Sequence, residues 1–138
     1  MFEFHAWATI RVNEDDDPQL DILSRREDQA LERLRPIIDQ ADDEFSFFDL
    51  RRTGNGMIVF TSHGLRNHRF QPIIDVFSWI GENLPESYGL LYVHDDESEV
   101  HDNEFRVWRL ARGQLTELDD PFLSPYVPTV EQPWEPAE

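Results

Sequence analysis

The sequence predicts an α+β fold, a mostly antiparallel sheet with two helices on one face in the order β-α-β-β-α-β-β. Three observations carry this. The first twelve residues alternate apolar and polar at the period of a strand. Two later stretches repeat apolar residues at helical spacing, each with a proline near its start. Around them lie short apolar runs separated by turn residues.

Phe2, Phe4, Ala6, Ala8, Ile10 and Val12 share one face of the opening strand, with Glu3, His5, Trp7, Thr9 and Arg11 on the other. Asn13 to Asp17 reads as an acidic turn. Asp17-Pro18 reads as a helix start, because Asp caps and Pro suits the first helical position. Leu20, Leu23, Ala30, Leu31, Leu34, Ile37, Ile38 and Ala41 then recur at helical spacing. Pro36 falls inside that pattern, so a kink or break is expected near Glu32 to Arg35.

Phe45 to Leu50 and Met57 to His63 are expected as strands about the turn Thr53-Gly54-Asn55-Gly56. A polar loop from His63 to Arg69 leads to Pro72 and a second helix, with Ile73, Phe77, Ile80 and Leu84 on one face. Tyr88 to Val93 reads as a buried strand, because its apolar run is nearly continuous. An acidic loop spans Asp95 to Glu104. Phe105–Ala111 and Leu115–Leu118 form a hairpin about Arg112-Gly113. The tail holds prolines at 121, 125, 128, 133 and 136, which argue against a helix; Phe122, Leu123, Tyr126 and Val127 suggest an extended segment packed on the body. A split βαβ, ferredoxin-like with an extra hairpin strand, is the expected topology. Residues 1–131 are read as a single domain and 132–138 as a proline-rich tail.

Composition narrows the function. The chain has 138 residues, 39% hydrophobic, enough for one core. It holds no apolar run that would span a bilayer, and its start lacks the pattern of a secretory signal, so a cytoplasmic protein is expected. Cysteine is absent, which excludes disulfides, thiol nucleophiles and thiolate metal sites. Twenty-nine acidic residues against twelve basic ones, all Arg, give a net charge of −17. That field repels phosphate backbones, so direct nucleic-acid binding is not expected. It favours fast association with a basic partner instead.

His63, Arg66, Asn67, His68 and Arg69 are the densest polar group. They suit either an anion-binding or acid–base site of a small enzyme, or a loop whose side chains pair with nearby carboxylates. The acid excess favours pairing. No nucleophile motif or glycine-rich phosphate loop accompanies them, so no catalytic residue is assigned. The His spacings do not match a zinc frame, and the loop 95–104 lacks the EF-hand pattern, so no metal is expected. Trp7 and His5 lie on the second face of the first strand. The plainer expectation is that the C-terminal tail covers them; the sharper one makes Trp7 part of a partner surface. Trp134, among the last prolines, is the more partner-directed of the tryptophans.

Read together, several motifs resemble the immunity protein 7 family, small antidotes encoded beside bacterial polymorphic toxins. They are Phe2-Glu3-Phe4-His5-Ala6-Trp7, Gly64-Leu65-Arg66-Asn67-His68-Arg69, and Tyr88-Gly89-Leu90-Leu91-Tyr92 with the following Asp95-Asp96-Glu97. Asp102-Asn103-Glu104-Phe105, Leu110-Ala111-Arg112-Gly113 and Asp120-Pro121-Phe122-Leu123-Ser124-Pro125 complete the set. The resemblance implies an α+β protein that binds and neutralises a cognate toxin, with no enzymatic activity and no cofactor. It directs attention to Trp7, Arg66, Asn67, His68, Asp95, Asp96 and Asp102; with Glu97, these are the candidate toxin-binding residues. The acid excess suits a basic toxin such as a nuclease, whose cleft must be positive to hold phosphates.

Overall fold

The computed structural model describes residues 1–12 and 20–136; the expected acidic turn and the Asp17-Pro18 helix start fall outside them. Chain order is β1 (Phe2–Ile10), α1 (Leu20–Ala41), β2 (Ser46–Arg52), β3 (Ile58–Arg66), α2 (Gln71–Asn83), β4 (Tyr88–Asp95), β5 (Phe105–Ala111), β6 (Gln114–Asp119) and a short α3 (Tyr126–Thr129). The strands form one antiparallel sheet, ordered β2-β3-β1-β4-β5-β6. β3 thus lies between β1 and β2, splitting the β1-α1-β2 crossover.

Alternation along β1 decides which face is buried. Phe2, Phe4, Ala6, Ala8 and Ile10 join one core cluster with Ala30, Leu34 and Ile38 of α1 and Ile73, Phe77 and Ile80 of α2. Both helices therefore cover the same face, driven by burial of their apolar stripes. Residues paired across antiparallel strands point the same way. The register Ala6↔Ser62 and Ala6↔Leu91 extends this inner face, and His5↔His63 with His5↔Tyr92 extends the outer one. Gly89 is dictated by this packing: a Cβ there would lie 2.1 Å from the Trp7 carbonyl oxygen and 2.6 Å from Ala8 Cα. The two-residue hairpin Arg112-Gly113 has φ of 51° and 77°, the twist that joins β5 to β6 tightly.

Four expectations are corrected. Of the expected kink or break at Pro36, the break does not occur, since α1 continues to Ala41: Leu34, Ile38 and Ala41 stay on the buried stripe, and their burial offsets the lost backbone bond, a cost of about 3 kcal/mol. β3 runs to Arg66, so His63 to Arg66 belong to a strand and not a loop. Gly64 had masked it. That glycine leaves room for the Phe4 ring, 2.5 Å from where its Cβ would be. β4 is buried on its inner residues and only partly covered on most of the outer ones, so its continuous apolar run overstates its burial. The tail, expected to exclude helix, forms a single four-residue turn at Tyr126–Thr129 within which Val127 keeps extended angles.

Candidate functional site

Phe2 pairs with both Arg66 and Asp95, so the start of β1, the end of β3 and the end of β4 meet at one edge of the molecule. The α-amine of Met1 donates to Asp96 Oδ1 at 2.6 Å and lies 3.5 Å from Glu97 Oε1. His68 Nδ1–H donates to the same Glu97 oxygen at 2.7 Å, and Asp95 Oδ1 accepts the Glu97 amide at 3.0 Å. The bond to Asp96 raises the amine's pKa above its ordinary value, and the bond from His68 lowers that of Glu97. Of the sequence-derived candidates, His68, Asp95, Asp96 and Glu97 are thus brought together, with Asn67 exposed beside them.

Arg66 is held apart from this group. Its guanidinium lies 4.0 Å from the Phe70 ring centroid, pairs with Asp43 and reaches Ser46 Oγ at 3.4 Å. That pairing lowers the Asp43 pKa. Arg66 therefore ties the starts of β2 and α2 to the end of β3. Arg69 donates to Gln71, and His63 turns to the outer face. The cations and imidazoles of residues 63–69 diverge onto separate partners, which is not the convergent geometry of an acid–base site.

On the outer face, His5 Nδ1 and His63 Nδ1 are 2.8 Å apart and His5 Nε2 is 2.6 Å from Glu3 Oε2. Glu3 only accepts, so His5 Nε2 carries a proton; with both rings neutral, His63 Nδ1–H donates to His5. Burial, and then the charge of His5, lower the His63 pKa. Trp7 stands further along this face, 42% exposed and edge-on to Tyr88 at 6.1 Å. The expectation that the tail covers Trp7 is therefore overturned: the tail returns across β4 and β5 instead. Trp108 is in the core and Trp134 is 85% exposed.

The side chains that hold the tail escaped the sequence reading. Asn103 accepts the Val127 amide at 2.9 Å through Oδ1 and donates to the Val127 carbonyl at 3.1 Å, while its own carbonyl accepts the Tyr126 amide at 2.8 Å. Buried Asp120 accepts the amides of Phe122 and Leu123 and the Ser124 hydroxyl, each at 3.0 Å. Ser124 Oγ in turn accepts the Phe105 amide. Tyr126 then stacks on buried His94, ring centroids 3.9 Å apart. The Asx-type spacing of Asp120 and Ser124 was a signal available in the sequence; the distant partner of Asn103 was not. Asp102 is exposed, and its carbonyl accepts His94 Nε2–H at 3.0 Å. Among the described residues no group of three or more His, Asp or Glu is placed to hold a metal ion, and no helix is long and apolar enough to cross a membrane.

Comparison with known families settles the relationship. The model described as immunity protein 7 matches residues 1–132, nearly the whole chain. The chain belongs to the immunity protein 7 family. No curated protein and no solved structure matches it. Membership in this family makes a toxin the implied partner. It also gives the motifs a division of labour here: Gly64, Gly89, Arg112-Gly113, Asn103 and Asp120-to-Ser124 build the fold, whereas Asp96, Glu97, His68 and Trp7 face solvent.

Proposed function

We propose that this protein binds a cognate toxin domain and blocks it by occlusion, without turnover, in the cytoplasm of the cell that makes both. The observation that carries the reading is the family match over residues 1–132 joined to a net charge of −17. A surface with that acid excess attracts a strongly basic partner over a long range and orients it before contact. A nuclease fits best, since a cleft that grips phosphates presents the positive charge such a surface needs.

The contact surface in this reading joins the Asp95–Glu97 edge, with His68 and Asn67, to the outer sheet face that carries Trp7. The edge supplies steering, and the exposed aromatics supply the anchors that dominate interface energy. The enzyme alternative loses its support because His63, Arg66, His68 and Arg69 each serve a different neighbour. Co-expression with the toxin domain encoded beside this chain tests the proposal. A stable complex that silences the toxin is expected; toxin that stays active, with no complex, rejects it.

A further inference from the structure

The returning tail leaves a recess of about 470 Å³ on the outer sheet face. β1 contributes Glu3 and His5, β4 and β5 contribute Tyr92 and Phe105, and the tail contributes Leu123, Tyr126 and Val130. Its surface is mostly carbon, and the rings are ordered: Phe105 lies 5.8 Å from Tyr126 and 6.4 Å from Tyr92, centroid to centroid. Leu123 and Val130 are each about half exposed, so the apolar side is open to solvent. Among the described residues nothing fills it.

Its charge is one-sided. Glu3 lines the recess, and Glu131 follows Val130 at its border. The Glu131 amide donates to the Tyr126 carbonyl at 3.0 Å, which holds Glu131 beside the recess, and burial, then the charges of Glu3, Glu131 and Asp96, raise the Tyr126 phenol above its ordinary pKa. Among the described residues no arginine lines the recess. His5 Nε2–H fixes the Glu3 carboxylate at 2.6 Å, and Glu131 makes no ion pair among the described residues.

An apolar cavity with carboxylates at its border selects its occupant by chemistry. An acidic side chain would be repelled. A purely apolar one would strip water from the carboxylates without replacing it. A long basic side chain satisfies both parts, laying its carbon stem along Leu123 and Val130 and its cation near the tyrosine rings and acids. Resting on the immunity reading, we infer that this recess receives one arginine or lysine side chain of the toxin. It is a specific anchor, set apart from the diffuse acidic field that steers the encounter.

Two measurements test it. The first titrates the isotope-labelled protein with N-acetyl-arginine amide, and with its neutral citrulline counterpart, by NMR. The arginine compound should shift Glu3, Tyr92, Tyr126, Val130 and Glu131 together, with a Kd of about 1 mM as befits one side chain. The citrulline compound should not, and Glu131→Arg should abolish the effect while melting like the parent. Shifts that are absent, scattered over the acidic surface, or equal for both compounds overturn the pocket. The second compares the toxin complex of the parent with that of Glu131→Arg, for which affinity should fall about tenfold or more. A complex indifferent to that change overturns the anchor while leaving the immunity reading intact. A localised arginine titration with no toxin complex would instead reject the immunity reading and, with it, the toxin as the source of the side chain.

Discussion

His5 and His63 face each other across β1 and β3 with their Nδ1 atoms 2.8 Å apart, at the centre of the outer sheet face. The contact needs one ring to donate and the other to accept, so it tolerates one proton on the pair beyond the neutral state but not two. Glu3, bonded to His5 at 2.6 Å, fixes the orientation of that ring, and burial leaves His63 with a lowered pKa.

Stability should therefore fall on acidification through this pair. A His63 pKa below the ordinary 6.5 means the unfolded chain binds the proton first. The contribution is complete above the unfolded value and declines as pH drops from there through the folded one. Urea titrations of the parent and of His63→Gln between neutral and mildly acidic pH should show a shallower pH slope for the variant. Equal slopes would remove His63 from the explanation.

Gly89→Ala should cost about 2 kcal/mol or more, because its methyl group has to enter backbone of β1. Gly54→Ala, where no atom lies within 4 Å and φ is ordinary, should stay within about 0.5 kcal/mol of the parent. Denaturant midpoints decide, and similar losses at both sites would contradict the packing described.

Asn103→Ala should release the tail more than it unfolds the body. Two side-chain bonds to Val127 disappear, worth about 1 kcal/mol each at most in this exposed setting. Hydrogen exchange at the Val127 amide should speed up while the β1 amides keep their protection. A uniform loss of protection would mean the tail and sheet open as one unit.

Arg66→Lys should destabilise by about 1 kcal/mol despite keeping the charge, since an ammonium cannot stack flat on Phe70 while pairing with Asp43. Recovery of parental stability by Lys would leave charge alone as the basis of this contact.

Much of the fold was readable because local and global signals agreed. The alternation of Phe2 to Ile10, the helical stripe from Ile73 to Leu84 and the Arg112-Gly113 turn each point to one structure, and each forms. The reading failed where a residue answered to a distant neighbour. Gly64 looks like a loop residue until the Phe4 ring is seen in its place. Pro36 looks like a helix breaker until the stripe beyond it is buried. The acidic stretch from Asp95 was correctly placed near the end of β4, yet that Asp96 meets the α-amine of Met1 depends on β1 and β4 being neighbours. Asn103 was mute for the same reason, since Tyr126 and Val127 lie more than twenty residues away, whereas the packing of Tyr126 on the body was expected and its partner His94 was not.

Electrostatic capture of a toxin is tested most directly by the association rate with a cognate toxin domain, measured at several salt concentrations. Between about 50 mM and about 500 mM salt the on-rate should fall about tenfold or more, with dissociation changing far less and toxin activity suppressed whenever the complex forms. An on-rate indifferent to salt, or a complex that leaves the toxin active, would contradict it.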